Sequence, residues 1–376
     1  MSLAGCRKRG RGAGGALIAA LALIAGCGGP PAVRVFEADR YPEWLSEWGL
    51  VTRDGNRLIL GKDVTPYEVA SPLFSDYALK LRTWYVPPDS RITYRAEGPF
   101  EFPPGSVITK TFFYPVHDGV AQAAPSWDGD VAGLDLDRHR LVETRLLVRR
   151  AGGWDALPYV WEGDDARLRI TGALVRLELS VDGAPTDLPY LVPARSECAS
   201  CHATDHGART LELIGLKAWQ LDRPYYGHEG EPSQLAAWAA ADRLAGLPDV
   251  SARPAAVAWS DTTRPVAERA RAYLDANCGH CHSATGAADT SGLHLDRDAA
   301  SFRDLGVCKP PIAAGRGTGG RPYSIVPGEP DRSILIYRME TDDPATRMPE
   351  IGRAVTHREG VALLTEWIAD LPGRCL

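Results

Sequence analysis

The chain has 376 residues, 44% of them hydrophobic and 24% charged, with a formal charge of −6. That is room for two or three domains with real cores. Removing four basic residues near the start, Arg7, Lys8, Arg9 and Arg11, takes −6 to −10, and so acidic a chain argues against nucleic acid and for a basic or neutral protein partner.

Residues 1–27 read as a lipoprotein signal peptide, with those four cations as the positive region and Ala13 to Ala25 as an apolar run too short to span a bilayer. Ile24-Ala25-Gly26-Cys27 resembles a bacterial lipobox, so Cys27 is the expected acylated first residue. A lipid there anchors the chain to a membrane without a transmembrane helix. Gly28 after the cysteine resembles the outer-membrane-sorted class of Gram-negative bacteria, which puts the expected location on the periplasmic side of the outer membrane. An ordinary cleaved signal peptide is the alternative. No later segment approaches the ~20 apolar residues of a membrane span.

Residues 28–43, with Pro30-Pro31, read as a tether. Residues 44–195 are β in character. Short β-branched or aromatic runs at 91–95, 106–114, 141–148, 159–161, 166–170 and 175–179 are separated by turn pairs such as Asp118-Gly119 and Asp182-Gly183. Many short strands at this spacing predict a sandwich or open barrel. Residues 196–250 form a first haem-type region, with helices expected over 211–221 and 234–247, and 252–261 is an Ala/Pro linker. Residues 262–376 have the parts of a class I cytochrome c domain. A helix from Pro265 runs into Cys278, and a closing helix follows Thr356 and Glu359 with Val361, Leu364, Trp367, Ile368 and Leu371 on one face. The predicted fold class is therefore mixed and multidomain: a β-sandwich-like N-terminal domain followed by all-α cytochrome c-type haem domains.

The chemistry lies in two C-x-x-C-H motifs, Cys198-Ala-Ser-Cys201-His202 and Cys278-Gly-His-Cys281-His282. In this pattern two thiols bond covalently to a haem and the histidine ligates its iron. Half a zinc site or a redox pair is the alternative for one isolated motif, but zinc ribbons bring their second cysteine pair about 15–20 residues after the first. The motifs imply two covalently bound c-type haems with His202 and His282 as axial ligands. Met348-Pro349, just before the closing helix, resembles the ligand loop of cytochromes c and makes Met348 the expected sixth ligand of the second haem. Met339, His206 and His228 are candidates for the first, although Met339 also reads as a core residue. Cys308 and Cys375 remain, either as a disulfide tying down the C-terminus or as two separately buried thiols. His117, His139, His294 and His357 read as exposed or hydrogen-bonded, and Arg316 or Arg321 in the glycine-rich loop is a candidate contact for a haem propionate.

Ser71-Pro-Leu-Phe-Ser-Asp-Tyr-Ala78, Tyr190-Leu-Val-Pro193, Cys308-Lys-Pro-Pro311, Ile325-Val-Pro-Gly328 and Arg347-Met-Pro-Glu350 resemble segments of a bacterial family of di-haem c-type cytochrome lipoproteins. The resemblance runs from about residue 40 to the end. It implies haem binding and electron transfer to a redox partner protein, and does not supply a substrate. The alternatives are a di-haem peroxidase with one open haem site, and a β module that binds a ligand or partner and is served by haems.

Overall fold

The computed structural model describes residues 29–376 apart from Thr204, Glu229 and Ala313; the signal-peptide, lipobox and Cys27 expectations lie outside the described residues. Strands β1 Val51–Asp54, β2 Arg57–Leu60, β3 Thr65–Tyr67, β4 Leu79–Tyr85, β5 Ile92–Thr93 and β6 Val107–His117 come first. They are followed by β7 Val120–Gln122, β8 His139–Arg150, β9 Gly153–Glu162, β10 Asp165–Leu168, β11 Ala173–Val181 and β12 Ala184–Val192. Short helices then dominate: α1 Ala199–His202, α2 Ala218–Leu221 and α3 Gln234–Ala240, a last strand β13 Leu244–Ala245, and α4 Val266–Leu274, α5 Ile334–Glu340 and α6 Arg358–Ala369.

The expected fold class is corrected on two counts. Instead of two packed sheets the described residues form one curled nine-stranded sheet, ordered β10-β9-β8-β6-β7-β11-β12 with β3 and β4 joined through β6, and two small pairs, β1-β2 and β13-β5. Instead of all-α haem domains, the chain is 26% strand against 21% helix, and its haem-type regions are mostly loop, with α6 the longest helix at 12 residues. The helix expected over 211–221 shrinks to Ala218–Leu221, and the one over 234–247 stops at Ala240.

The sheet explains the difference. Antiparallel strands send successive side chains to opposite faces. Leu81, Tyr85, Val107, Leu146, Val148 and Leu157 pack on one face with Leu45, Trp48 and Leu50 of the N-terminal segment. On the other face Tyr67, Trp84, Ile92 and Ile108 share a core with Leu213, Leu216, Leu221, Leu235 and Trp238. Trp84 and Trp238 meet edge to face at 5.2 Å, a pair worth about 0.5–1.5 kcal/mol beyond the area it buries. The segment after the first motif thus buries its apolar residues against strands, and needs no helical bundle to do so. The C-terminal part has its own core, in which Tyr273 and Leu274 of α4 meet Ile336 and Met339 of α5 and Leu364, Trp367 and Ile368 of α6. Among the described residues no helix is long and apolar enough to cross a membrane.

Candidate functional site

Both C-x-x-C-H motifs adopt the same helical turn. Strand β12 ends at Val192, Pro193 stops the pairing, and α1 follows almost at once. His202 and Cys201 donate their amides to the Cys198 carbonyl at 2.9 and 3.3 Å. In the second motif α4 widens into one π turn over Asp275–Gly279, and His282 and Cys281 donate to the Cys278 carbonyl at 2.9 and 3.1 Å. One helical turn sets each thiol pair and its histidine along a single side of the backbone. Gly279 is required there: a Cβ would lie 2.7 Å from the Asp296 Cα.

Each histidine is held by one ring nitrogen. His202 Nδ1 lies 2.7 Å from the Glu212 carbonyl and His282 Nδ1 3.0 Å from Ser291 Oγ. A partner on Nδ1 fixes the ring and leaves Nε2 for a metal. Burial pushes both rings down to about 4, helped by Lys110 at His202 and by Arg338 at His282. Near neutral pH they are therefore uncharged, the form that binds iron.

The two motifs open onto one cavity of about 720 Å3, within the roughly 300–1,000 Å3 of pockets that engulf cofactor-sized ligands. They also touch each other: Cys281 Sγ lies 3.5 Å from the Ser200 carbonyl, and the Cys201 and Cys281 thiols interact. That interaction and one with His280 hold the Cys201 thiol well below its ordinary value against burial, which pushes it up, while Cys281 is raised.

Met348 lines this cavity, as do Met339 and His206. Met339 is also 8% exposed within the C-terminal core, and His206 lies at the exposed rim, its amide donating to the Thr285 carbonyl at 2.8 Å. His228 is elsewhere, exposed, with Nε2 3.2 Å from the Asp128 carbonyl and its ring edge-on to Tyr225. Arg316 and Arg321 do not line the cavity either; Arg321 donates to the Asp331 carbonyl and lies over the Tyr337 ring at 4.5 Å. The cavity's cations are others, chiefly Arg82, Lys110, Arg145, Arg338 and Arg353. Cys308 and Cys375 form a disulfide, with Cα atoms 5.1 Å apart.

Arg353 is a further cavity-lining residue that no sequence expectation named. It is 4% exposed and donates from Nε to the Met348 carbonyl at 2.9 Å and from Nη2 to the Arg338 and Thr341 carbonyls. The Met348 amide in turn donates to the Arg338 carbonyl at 2.7 Å. The methionine loop is thus wired to α5. Its one sequence signal is an arginine five residues after the methionine.

Three observations test the fit of a haem at each motif. The thiols and histidines have the required order and face one cavity, the rings are neutral and oriented, and two buried cavity-lining nitrogens, His280 Nδ1 and Arg353 Nη1, have no hydrogen-bond partner among the described residues. The residues fit. Among the described residues no group of three or more His, Cys, Asp and Glu gathers to hold a bare ion, and covalent haem needs none, since each iron takes one histidine and one further ligand. Compared with protein-family models, curated proteins and solved structures, the chain matches none.

Proposed function

We propose that this chain is an exported di-haem c-type cytochrome, anchored through an acylated Cys27 to the outer membrane on its periplasmic side, that passes electrons to and from a redox partner protein. The observation that carries the reading is the pair of C-x-x-C-H turns opening on one cavity, with Cys201 and Cys281 in contact. When bound, each haem supplies a one-electron iron couple. The chain's part is attachment and tuning. Cys198 with Cys201 and Cys278 with Cys281 would hold the porphyrins and His202 and His282 would ligate the irons, with Glu212 and Ser291 keeping those rings turned. Met348, held by Arg353 and Arg338, is the proposed sixth ligand at the second site. Lining by Leu213, Leu295, Leu305 and Ile325 limits water, which raises a haem's potential.

Optical and EPR spectra of the holoprotein, oxidised, reduced and with hydrogen peroxide added, test the reading. Two low-spin haems, one with a methionine-to-iron charge-transfer band, and no peroxide turnover are expected. A high-spin haem whose signal vanishes on adding peroxide would make the chain a di-haem peroxidase, and a colourless protein would reject haem altogether.

A further inference from the structure

We infer that Arg82, Lys110 and Arg145, side by side on three adjacent strands, form an anion site for carboxylate or phosphate groups on the cavity floor beside the first C-x-x-C-H motif. The inference deepens the haem reading and rests on it for one of two ligand sources.

The sheet register builds the site. Arg82 on β4 stands opposite Lys110 on β6, and Lys110 opposite Arg145 on β8, so all three share the face that lines the cavity. Like charges directly opposite on neighbouring strands repel, and withdrawing them from water adds to the cost. The chain relieves little of it. Among the described residues Arg82 and Lys110 have no ion-pair partner, and only Arg145 is paired, with Nε and Nη2 reaching the fully buried Glu143 carboxylate at 2.8 and 2.5 Å. Tyr190 donates to the same carboxylate at 2.7 Å, which fixes the guanidinium before any ligand arrives. Lys110 and Arg145 also lie over the Phe112 ring, at 5.3 and 4.6 Å.

The cations act on the first motif: Arg145 on Cys198, and Lys110 on Cys201 and His202. Adjacent strands are about 4.8 Å apart, so the ladder spans about 10 Å. That length suits two carboxylates or one extended dianion. The sources of such chemistry are the propionate pair of a haem held at Cys198 and Cys201, or a free small dicarboxylate or phosphate entering the cavity.

The test uses the full-length holoprotein with Lys110→Met and Lys110→Arg, and Arg82→Met as a second neutral variant should Lys110→Met not fold. Covalent haem is counted by mass, both haem potentials are titrated at pH 6, and inorganic phosphate and succinate are titrated calorimetrically. If propionates occupy the site, losing the cation shifts one haem towards its oxidised form by about tenfold, about 59 mV for a one-electron couple. Lys110→Arg then restores the potential, and neither free anion binds. If the ligand is free, succinate or phosphate binds the wild-type protein and binds the neutral variant about tenfold more weakly, whatever the lost charge does to the potential of the neighbouring haem. Unchanged potentials together with no anion binding overturn the inference. A chain that carries no haem rejects the proposed function instead, and the calorimetric arm alone then decides the ladder.

Discussion

The carboxylate of Asp76, in the loop before β4, accepts the backbone N–H of Ala354, 2.6 Å away beyond the methionine loop, and that of Val355 at 2.9 Å. Asp76 and Tyr77 both hold positive φ, 50° and 61°, a conformation that costs an L-residue roughly 1–2 kcal/mol. The bonds offset that cost. Two residues earlier, the Phe74 amide donates to Asn277 Oδ1 at 2.8 Å, next to Cys278. Segment 71–78 therefore fastens the sheet to both the second motif and the Met348 loop. Asp76→Ala leaves two amides without their acceptor and is expected to cost about 2–3 kcal/mol in denaturant unfolding, with Asp76→Asn, which keeps one carbonyl oxygen, costing less. Equal losses would mean that the acceptor is not what matters.

Met348 and Met339 separate by role. Met348→Ala is expected to abolish the methionine-to-iron band and lower the potential of one haem, since a methionine ligand raises it. Met339→Leu, a volume-conserving change in the C-terminal core, is expected to leave the spectrum alone and cost less than about 1.5 kcal/mol. A band that survives Met348→Ala and disappears with Met339→Leu would reverse the assignment.

The Cys308–Cys375 bond closes a loop with a sequence separation of 67 residues. Loop-closure entropy puts its contribution at about 4 kcal/mol. The double variant Cys308→Ser, Cys375→Ser should unfold at lower denaturant by that order, and added reductant should then make no further difference to its midpoint. Haem count should not change.

Burial, with Lys80 adding a smaller push, drives the His357 ring from 6.5 down to about 3. It is stacked on Phe74 at 4.2 Å, and its Nδ1 lies 3.0 Å from the Tyr273 hydroxyl. Between these two values the unfolded chain binds a proton that the folded chain refuses, so stability falls as pH drops from 6.5 towards 3. His357→Gln removes this contribution. Its stability should depend on acid less steeply across that window, by up to about 1.4 kcal/mol per pH unit. A parallel pair of curves would show that the ring gains its proton without unfolding.

What the sequence disclosed followed the range of its signals. The two C-x-x-C-H motifs are local, and the runs at 106–114 and 141–148 fall on β6, to within one residue, and inside β8 because their β-branched patterns are local too. After residue 196 the helix leading into Cys278 and the closing helix were legible, as α4 and α6, but the packing that follows the first motif was not. Leu213, Leu216 and Trp238 have apolar patterns that suit helices, yet they answer to Tyr67 and Trp84 across the sheet. The cation ladder is invisible for a related reason: Arg82, Lys110 and Arg145 meet only through strand register. Asp76 stood in a segment that carried a resemblance without chemistry; its role appears only once Ala354 is beside it.

The most direct measurement is the mass of the intact protein after denaturation, which strips any cofactor not covalently bound. Two added haems in the wild-type chain, falling to one when Cys198 and Cys201 are both changed to Ala and again to one when Cys278 and Cys281 are, is the expected result. A mass equal to that of the polypeptide alone would contradict the account, whatever else the cavity then holds.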